Sequence, residues 1–229
     1  MDHDFQSKIS MYSQFVKPGA LCFDVGANVG NRTAVFLHLG ANVVAVEPQP
    51  DCIQSLWAQF GNHPKFTLVQ KALGPYEGVG ELNLSQWNPL ASMSAEWIHQ
   101  TKASGRFAHI DWYNKIQIQV TTMDNLIREY GIPAFCKIDV EGYESHVLAG
   151  LSVPIPVLSF EFTKEHLQPA VECVHLLAAL GNYRFNISSE ESMRFDLPYW
   201  LEPKQFLADL DRILPNPLAW GDVYAVLVG

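Results

Sequence analysis

The chain has 229 residues, 48% of them hydrophobic and 17% charged, with a net charge of −9. That length suits one α/β domain spanning residues 1–229, able to bury most of its apolar surface unaided, and the composition excludes a disordered chain. With no basic run and an acidic balance, nucleic acid and anionic membranes are not expected as partners.

The N-terminal stretch, residues 1–12, is polar and lacks a signal-peptide core, and no apolar run approaches the roughly 20 residues of a membrane span. A cytoplasmic protein is therefore expected. A helix is expected over residues 5–15, and Lys17-Pro18-Gly19 then turns the chain. Strands are expected at 20–25, 42–46, 66–70, 134–139, 156–162, 183–187 and 223–228. Helical crossovers are expected at 32–39, 51–60, 123–130, 144–149, 168–180 and 203–213. Strands alternating with helices in this way specify a parallel sheet.

Two segments interrupt the alternation. Residues 78–84 and 116–121 read as edge or hairpin strands, and the stretch between carries Trp87, Met93, Trp97, Phe107, Trp112 and Tyr113. This insert, about 78–121, fits either a cap over a cleft or a seal along the sheet edge, since indole rings bury well in both settings. The second interruption, 188–200, is a polar loop with Glu190, Glu191 and Arg194, placed to fold over the same crevice. Cys22, Cys52, Cys136 and Cys173 lack metal-ligand spacing and are expected to be reduced, buried apolar residues.

Asp24-Val25-Gly26-Ala27-Asn28-Val29-Gly30-Asn31 closes the first strand and opens a helix. A strand that turns through glycines into a helix brings its backbone close to a ligand at the helix N-terminus. In the dinucleotide fingerprint G-x-G-x-x-G, the second glycine lets a pyrophosphate touch the backbone. Asn28 occupies that position here. A side chain there suits a ligand without bridging phosphates, and Asp24 adds a carboxylate suited to a cation or ammonium group. S-adenosylmethionine has both properties. Glu47 ends the second strand about twenty residues beyond the glycines, where an acid accepts hydrogen bonds from ribose hydroxyls. Asp24 has an alternative role, holding the glycine turn through backbone N–H groups.

The fourth main strand ends in Lys137-Ile138-Asp139-Val140-Glu141-Gly142. Strand periodicity puts Lys137, Asp139 and Glu141 on one side while the chain stays extended. Buried charges of this kind persist when paired or placed at a site, and sites in open α/β sheets lie beyond the carboxyl ends of the strands. Glu141 also fits as a cap for the helix beginning near Glu144, Lys137 as a neutralising partner, and Asp139 as scaffold. Glu161 ends the fifth strand in register to face these acids. Asp139, Glu161 and His166 offer metal-ligand atoms, but their spacing is loose and no metal is expected. His146 reads as a residue of the first helical turn.

These residues together resemble the FkbM family of class I S-adenosylmethionine-dependent methyltransferases. The resemblance runs from about residue 19 to 162, through Phe-Asp-Val-Gly-Ala-Asn-Val-Gly-Asn, Val-Glu-Pro, Lys-Ala-Leu-Gly, Thr-Met-Asp-Asn-Leu and Lys-Ile-Asp-Val-Glu-Gly-Tyr-Glu. It implies a three-layer Rossmann-like α/β fold with seven main strands in the order 3-2-1-4-5-7-6, the last antiparallel. It further implies O-methylation of a hydroxyl on a small molecule, a sugar or a polyketide-like compound. By position, Gly26, Asn28 and Gly30 would contact the methionine and ribose portion, Glu47 the ribose diol, and Lys71, Ala72 and Leu73 the adenine. Asp139 would approach the methionine end or the acceptor. No Asn/Asp-Pro-Pro-Tyr follows the fourth strand and no Asp-Asn follows the fifth, which argues against amine methylation of that type and against a catechol-type magnesium site.

An alkyl hydroxyl is a poor nucleophile, so a carboxylate should take its proton; Glu141, Asp139 and Glu161 are the candidates in that order. A nicotinamide-dependent oxidoreductase and a non-catalytic binding module are the rival readings. Asn28 weighs against the first, and retention of Glu47 with the 139–142 cluster against the second.

Overall fold

The structure is a computed structural model that describes residues 3–229; residues 1 and 2, part of the polar N-terminal stretch, lie outside the described residues. The chain runs through α1 (His3–Tyr12), β1 (Leu21–Val25), α2 (Asn31–His38), β2 (Asn42–Val46), α3 (Pro50–Phe60), β3 (Phe66–Val69), β4 (Ala72–Leu73) and β5 (Gly78–Ser85). It continues through α4 (Ala95–Ala103), β6 (Trp112–Thr121), α5 (Met123–Tyr130), β7 (Phe135–Ile138), α6 (Glu144–Ala149) and β8 (Val157–Thr163). It ends with α7 (Gln168–Leu180), β9 (Tyr183–Ser189), α8 (Pro203–Ile213) and β10 (Trp220–Leu227).

The central sheet has seven strands in the order β3-β2-β1-β7-β8-β10-β9. Only β10 is antiparallel to its neighbours. Counting main strands alone, this is the expected 3-2-1-4-5-7-6. Parallel strands covered on both faces read as continuous apolar runs, and successive side chains serve opposite layers. In β1, Cys22 packs with α1 and α2 residues such as Tyr12 and Phe36, whereas Phe23 and Val25 face Leu126, Val147 and Phe160. Among the described residues no helix is long and apolar enough to cross a membrane.

The insert departs from expectation. β5 and β6 do not extend the main sheet and do not form a tight hairpin; with β4 they make a separate three-stranded sheet in the order β4-β6-β5. Leu82, Ala91 and Ile118 bury against Ala72 as a cluster of their own, so the two strands gain more from each other than from the edge of the main sheet. Between them lies α4, unforeseen from the sequence, begun by Ser94, whose hydroxyl accepts the Trp97 N–H at 3.1 Å. Trp97 is buried with Leu90 and Ile110, and Phe107 and Trp112 pack beside them, while Trp87 and Tyr113 stay exposed. Most of the insert's aromatics thus build its own small core.

Boundary differences have local causes. α1 stops at Tyr12 because the chain turns ahead of Pro18. β10 starts at Trp220 rather than 223, since Gly221 pairs with both Phe162 and Ser189 instead of breaking the strand.

Candidate active site

The glycine turn after β1 is tied to the end of β2: the Gly26 and Ala27 N–H groups donate to the Val46 carbonyl at 2.9 and 3.1 Å. Gly26 has φ 80°, and a Cβ there would lie 1.8 Å from the Asp139 carbonyl oxygen, so the turn presses on the end of β7. Only glycine meets both demands. Asn28 is itself left-handed, at φ 50°. Its Oδ1 accepts the Val29 N–H at 2.7 Å, a local bond that offsets part of the strain. Gly30, placed with the ligand contacts by sequence position, does not line the cavity. A Cβ on it would meet Phe60 at 2.5 Å and Leu56 at 2.9 Å, so its smallness serves the packing of α2 on α3.

Glu47, at the end of β2, is 2% exposed and accepts the Asn28 N–H on Oε2 and the Gln49 N–H on Oε1, both at 2.8 Å. Burial pushes its carboxyl up to about 7 against the pull of those bonds. Asp24 is also buried, and burial raises its pKa while the Thr33 hydroxyl, donating to Oδ2 at 2.5 Å, opposes the shift. The Gly26 and Ala27 N–H groups go to Val46 and that of Asn28 to Glu47, so the alternative role considered for Asp24, bonding the turn backbone, falls to the end of β2.

β7 ends at Ile138, and the chain then folds its acids into a cluster. The Lys137 ammonium is 1% exposed and donates to Asp222 Oδ1 at 2.8 Å and Asp139 Oδ2 at 3.1 Å. Burial alone would lower the Lys137 pKa, but these two carboxylates outweigh it and hold the ammonium charged. Asp139 is likewise kept below the ordinary carboxylate range, with Lys137 overcoming the effect of burial. Glu141 takes a left-handed φ of 54°, and its carbonyl accepts the Ser92 hydroxyl at 2.6 Å, which joins the insert to this turn. Among the described residues no side chain takes the cap role considered for Glu141; Glu144, the first residue of α6, instead turns its Oε1 back on the preceding turn to accept the Val140 and Gly142 N–H groups at 3.0 and 3.2 Å.

Oxygens of Asp139, Glu141 and Glu161 come within 4.8 Å of one another. His166 lies outside this trio. Burial, then the Asp139 charge, drives both Glu141 and Glu161 well above their ordinary values. Glu161 stands behind the main cavity and borders a small neighbouring pocket with Thr163 and His166. His146 is exposed and stacks on Tyr143 at 4.1 Å.

The main cavity, about 250 Å³, lies at the carboxyl ends of β1, β2 and β7. Gly26, Ala27 and Asn28 form one wall, Glu47 and Lys71 to Leu73 another, and Lys137, Asp139 and Glu141 a third. Leu82, Pro89, Ala91 and Met93 bring the insert to its rim, so the insert seals itself with aromatics and meets the cavity with aliphatic residues. Arg32 and Glu191 close the remaining side and are joined by an ion pair at 2.7 Å. Sequence reasoning missed Arg32, Ser92 and Asp222 at this site. Arg32 had a local signal, following Asn31 directly, whereas Asp222 lies 85 residues from Lys137.

A seven-stranded sheet with its antiparallel strand inserted next to the end, and a cavity at a glycine turn, define a Rossmann-like α/β fold of the methyltransferase type. The same fold occurs in the crystal structure of precorrin-6y C5,15-methyltransferase from Geobacter metallireducens GS-15, at a TM-score of 0.50 and 10% identity, covering 98% of this chain and 87% of that one. The methyltransferase FkbM domain model matches residues 24–187, and the chain belongs to that family. Among curated relatives, hexuronic acid methyltransferase AglP of Haloferax volcanii is 24% identical over 163 residues, covering 70% of this chain and 62% of its own length. The 31-O-demethyl-FK506 methyltransferase FkbM of Streptomyces tacrolimicus is 31% identical over 159 residues, covering 59% of this chain and 61% of its own length. The chain thus spans less than two thirds of either relative.

Proposed function

We propose that this chain is an S-adenosylmethionine-dependent O-methyltransferase acting on a hydroxyl of a small molecule or sugar. The observation that carries the reading is a single cavity in which the Gly26–Asn28 turn and buried Glu47 face the acids 139 and 141. The donor set fits the cofactor. Glu47, with about four acceptor sites as a carboxylate, accepts the Asn28 and Gln49 N–H groups and the Gln49 side chain and keeps capacity for a ribose hydroxyl. Asn28 fills the place where a pyrophosphate would need bare backbone. Gly26, Ala27 and Asn28 would hold the methionine and ribose portion, Glu47 the diol, and Lys71, Ala72 and Leu73 the adenine. Family membership and the printed names of the two relatives support hydroxyl acceptors on sugars or polyketide-like compounds.

When bound, S-adenosylmethionine supplies an electrophilic methyl group on its sulfonium. The protein's part is orientation and proton removal. Glu141 takes the acceptor's hydroxyl proton: it lines the cavity, and its raised pKa makes its ionised form a stronger base than an ordinary carboxylate. Asp139, kept ionised by Lys137, holds a fixed negative charge beside it. Glu161 acts through Asp139 as a positioning residue.

Calorimetric titration with S-adenosylhomocysteine and with NADH tests the cofactor assignment. Heat with the first and none with the second is expected; no heat at millimolar S-adenosylhomocysteine refutes it. For the base, Glu141→Gln should keep S-adenosylhomocysteine affinity and lower methyl transfer to sugar hydroxyls by about 10²- to 10⁴-fold. Unchanged turnover removes Glu141 from the role.

A further inference from the structure

Arg32 stands in the second position of α2, and its side chain, 14% exposed, forms part of the cavity wall. Glu191, on the loop after β9, sets both carboxylate oxygens on one guanidinium nitrogen, Nη2, at 2.7 and 2.8 Å. That arrangement uses half of what the group offers. A guanidinium matches a carboxylate best through two parallel N–H donors on different nitrogens, yet among the described residues Arg32 Nε is buried without a hydrogen-bond partner. An unsatisfied buried donor is costly, so its persistence in a cavity wall marks a place for a ligand atom. Glu191 is the more exposed partner, at 47%, and Lys8 of α1, 8% exposed and paired with Asp4, approaches its second oxygen at 3.6 Å. Of the other acids near Arg32, Asp139 and Asp222 are bonded to Lys137 and Asp24 accepts the Thr33 hydroxyl. Lys8 has Asp4 as its nearer partner, so the half-exposed loop carboxylate of Glu191 is the acid hydrogen-bonded to Arg32 at the cavity.

We propose that Arg32 is a carboxylate-binding subsite of this cavity, and that Glu191 fills it in the ligand-free enzyme as an internal stand-in for a ligand's carboxylate. This rests on reading the cavity as a nucleoside-cofactor site. Two sources of the carboxylate share this chemistry: the amino-acid end of the cofactor and an acidic, uronate-like acceptor.

The test is calorimetry on the wild-type chain, Arg32→Gln, Arg32→Lys and Glu191→Gln. Each is titrated with S-adenosylhomocysteine and with 5′-methylthioadenosine, which has the nucleoside but no carboxylate. Each is then saturated with S-adenosylhomocysteine and titrated with glucuronate and with glucose. If the subsite serves the cofactor, Arg32→Gln weakens S-adenosylhomocysteine by about 10- to 100-fold and leaves methylthioadenosine unchanged. If it serves an acceptor, the same loss falls on glucuronate and spares both nucleosides. In either case Arg32→Lys, which keeps the charge but not the fork, falls between, and Glu191→Gln tightens the affected ligand several-fold. Methylthioadenosine binding shows that the variants are folded. Equal effects on ligands with and without a carboxylate overturn the proposal, as does weaker or unchanged carboxylate binding in Glu191→Gln. Wild-type chain that binds neither nucleoside brings down the cofactor reading and this inference with it; wild-type binding with an inert Arg32 brings down the inference alone.

Discussion

Glu47 offers a sharp check on the electrostatics of the pocket. Its carboxyl, 2% exposed, rises from an ordinary 4.5 to about 7 in the folded chain because burial outweighs two backbone N–H bonds. A raised carboxyl stabilises the fold fully below its unfolded pKa, and that contribution is lost as pH rises through the folded value. Glu47→Gln removes this titration. The variant has its own fixed cost, since the amide NH₂ must face either the Asn28 or the Gln49 N–H, but that cost does not vary with pH. Glu144, also raised to about 7, titrates in both proteins and cancels in the difference. At ~1.36 kcal/mol per pH unit across this interval, the stability of the variant relative to wild type should improve by about 3 kcal/mol between about pH 4.5 and pH 8. In a domain of this size that is a relative gain in Tm of about 6–12 °C. Thermal denaturation of both proteins in parallel buffers measures it. A gap that stays constant across the range would refute the buried, raised carboxyl. The same variant should bind S-adenosylhomocysteine more weakly, because one of its two acceptors has become a donor.

Gly26→Ala should destabilise the chain by at least about 2 kcal/mol and abolish S-adenosylhomocysteine binding, since a left-handed residue gains a Cβ 1.8 Å from a carbonyl oxygen. Gly30→Ala should also destabilise, against Phe60 and Leu56, yet folded protein should keep its affinity; urea denaturation with calorimetry separates the two cases, and an affinity loss at Gly30 would restore it as a ligand contact. Lys137→Met strands Asp139 and Asp222 without their shared cation and should cost about 3–5 kcal/mol near pH 8. Protonation of the orphaned acids relieves that cost, so the loss should shrink toward pH 5, and a loss independent of pH would contradict the ion-pair account. Lys137 already supplies a positive charge to the trio Asp139, Glu141 and Glu161, so EDTA should leave S-adenosylhomocysteine affinity unchanged; a rise in Tm on adding magnesium would show that the trio takes a divalent ion after all.

The main sheet was legible because its signals are local. Largely apolar strands such as Val43–Val46 and Cys22–Val25 alternate with helical crossovers, and right-handed parallel crossovers leave few ways to assemble them. The insert was less legible: the choice of β5 and β6 to pair with each other depends on Leu82 meeting Ile118, a contact between distant residues that no local pattern announces. At the site, the turn acids Asp139 and Glu141 were found from their place beyond a strand end, and Glu161 from its register in the next strand. Spacing does not show that Gly30, whose motif position suits a ligand contact, also packs against Phe60 and Leu56. Nor does it show that Glu144 rather than Glu141 reaches the Val140 N–H, since both lie near the start of α6 and only the backbone path decides.

Two acids of the site come from outside the family match. Asp222 and Glu191 both lie beyond residue 187, where the family match ends, and each reaches back to a charge inside it, Asp222 to Lys137 and Glu191 to Arg32. The matched segment thus supplies two cations that draw counter-ions from the unmatched one, Lys137 in addition to its pairing with Asp139. A buried cation cannot be left without a partner, so the C-terminal segment must complete the site electrically even where its sequence follows no shared pattern. Of the two cations Arg32 depends on this segment more, because Lys137 keeps Asp139 as a second counter-ion whereas Glu191 supplies the carboxylate bonded to Arg32.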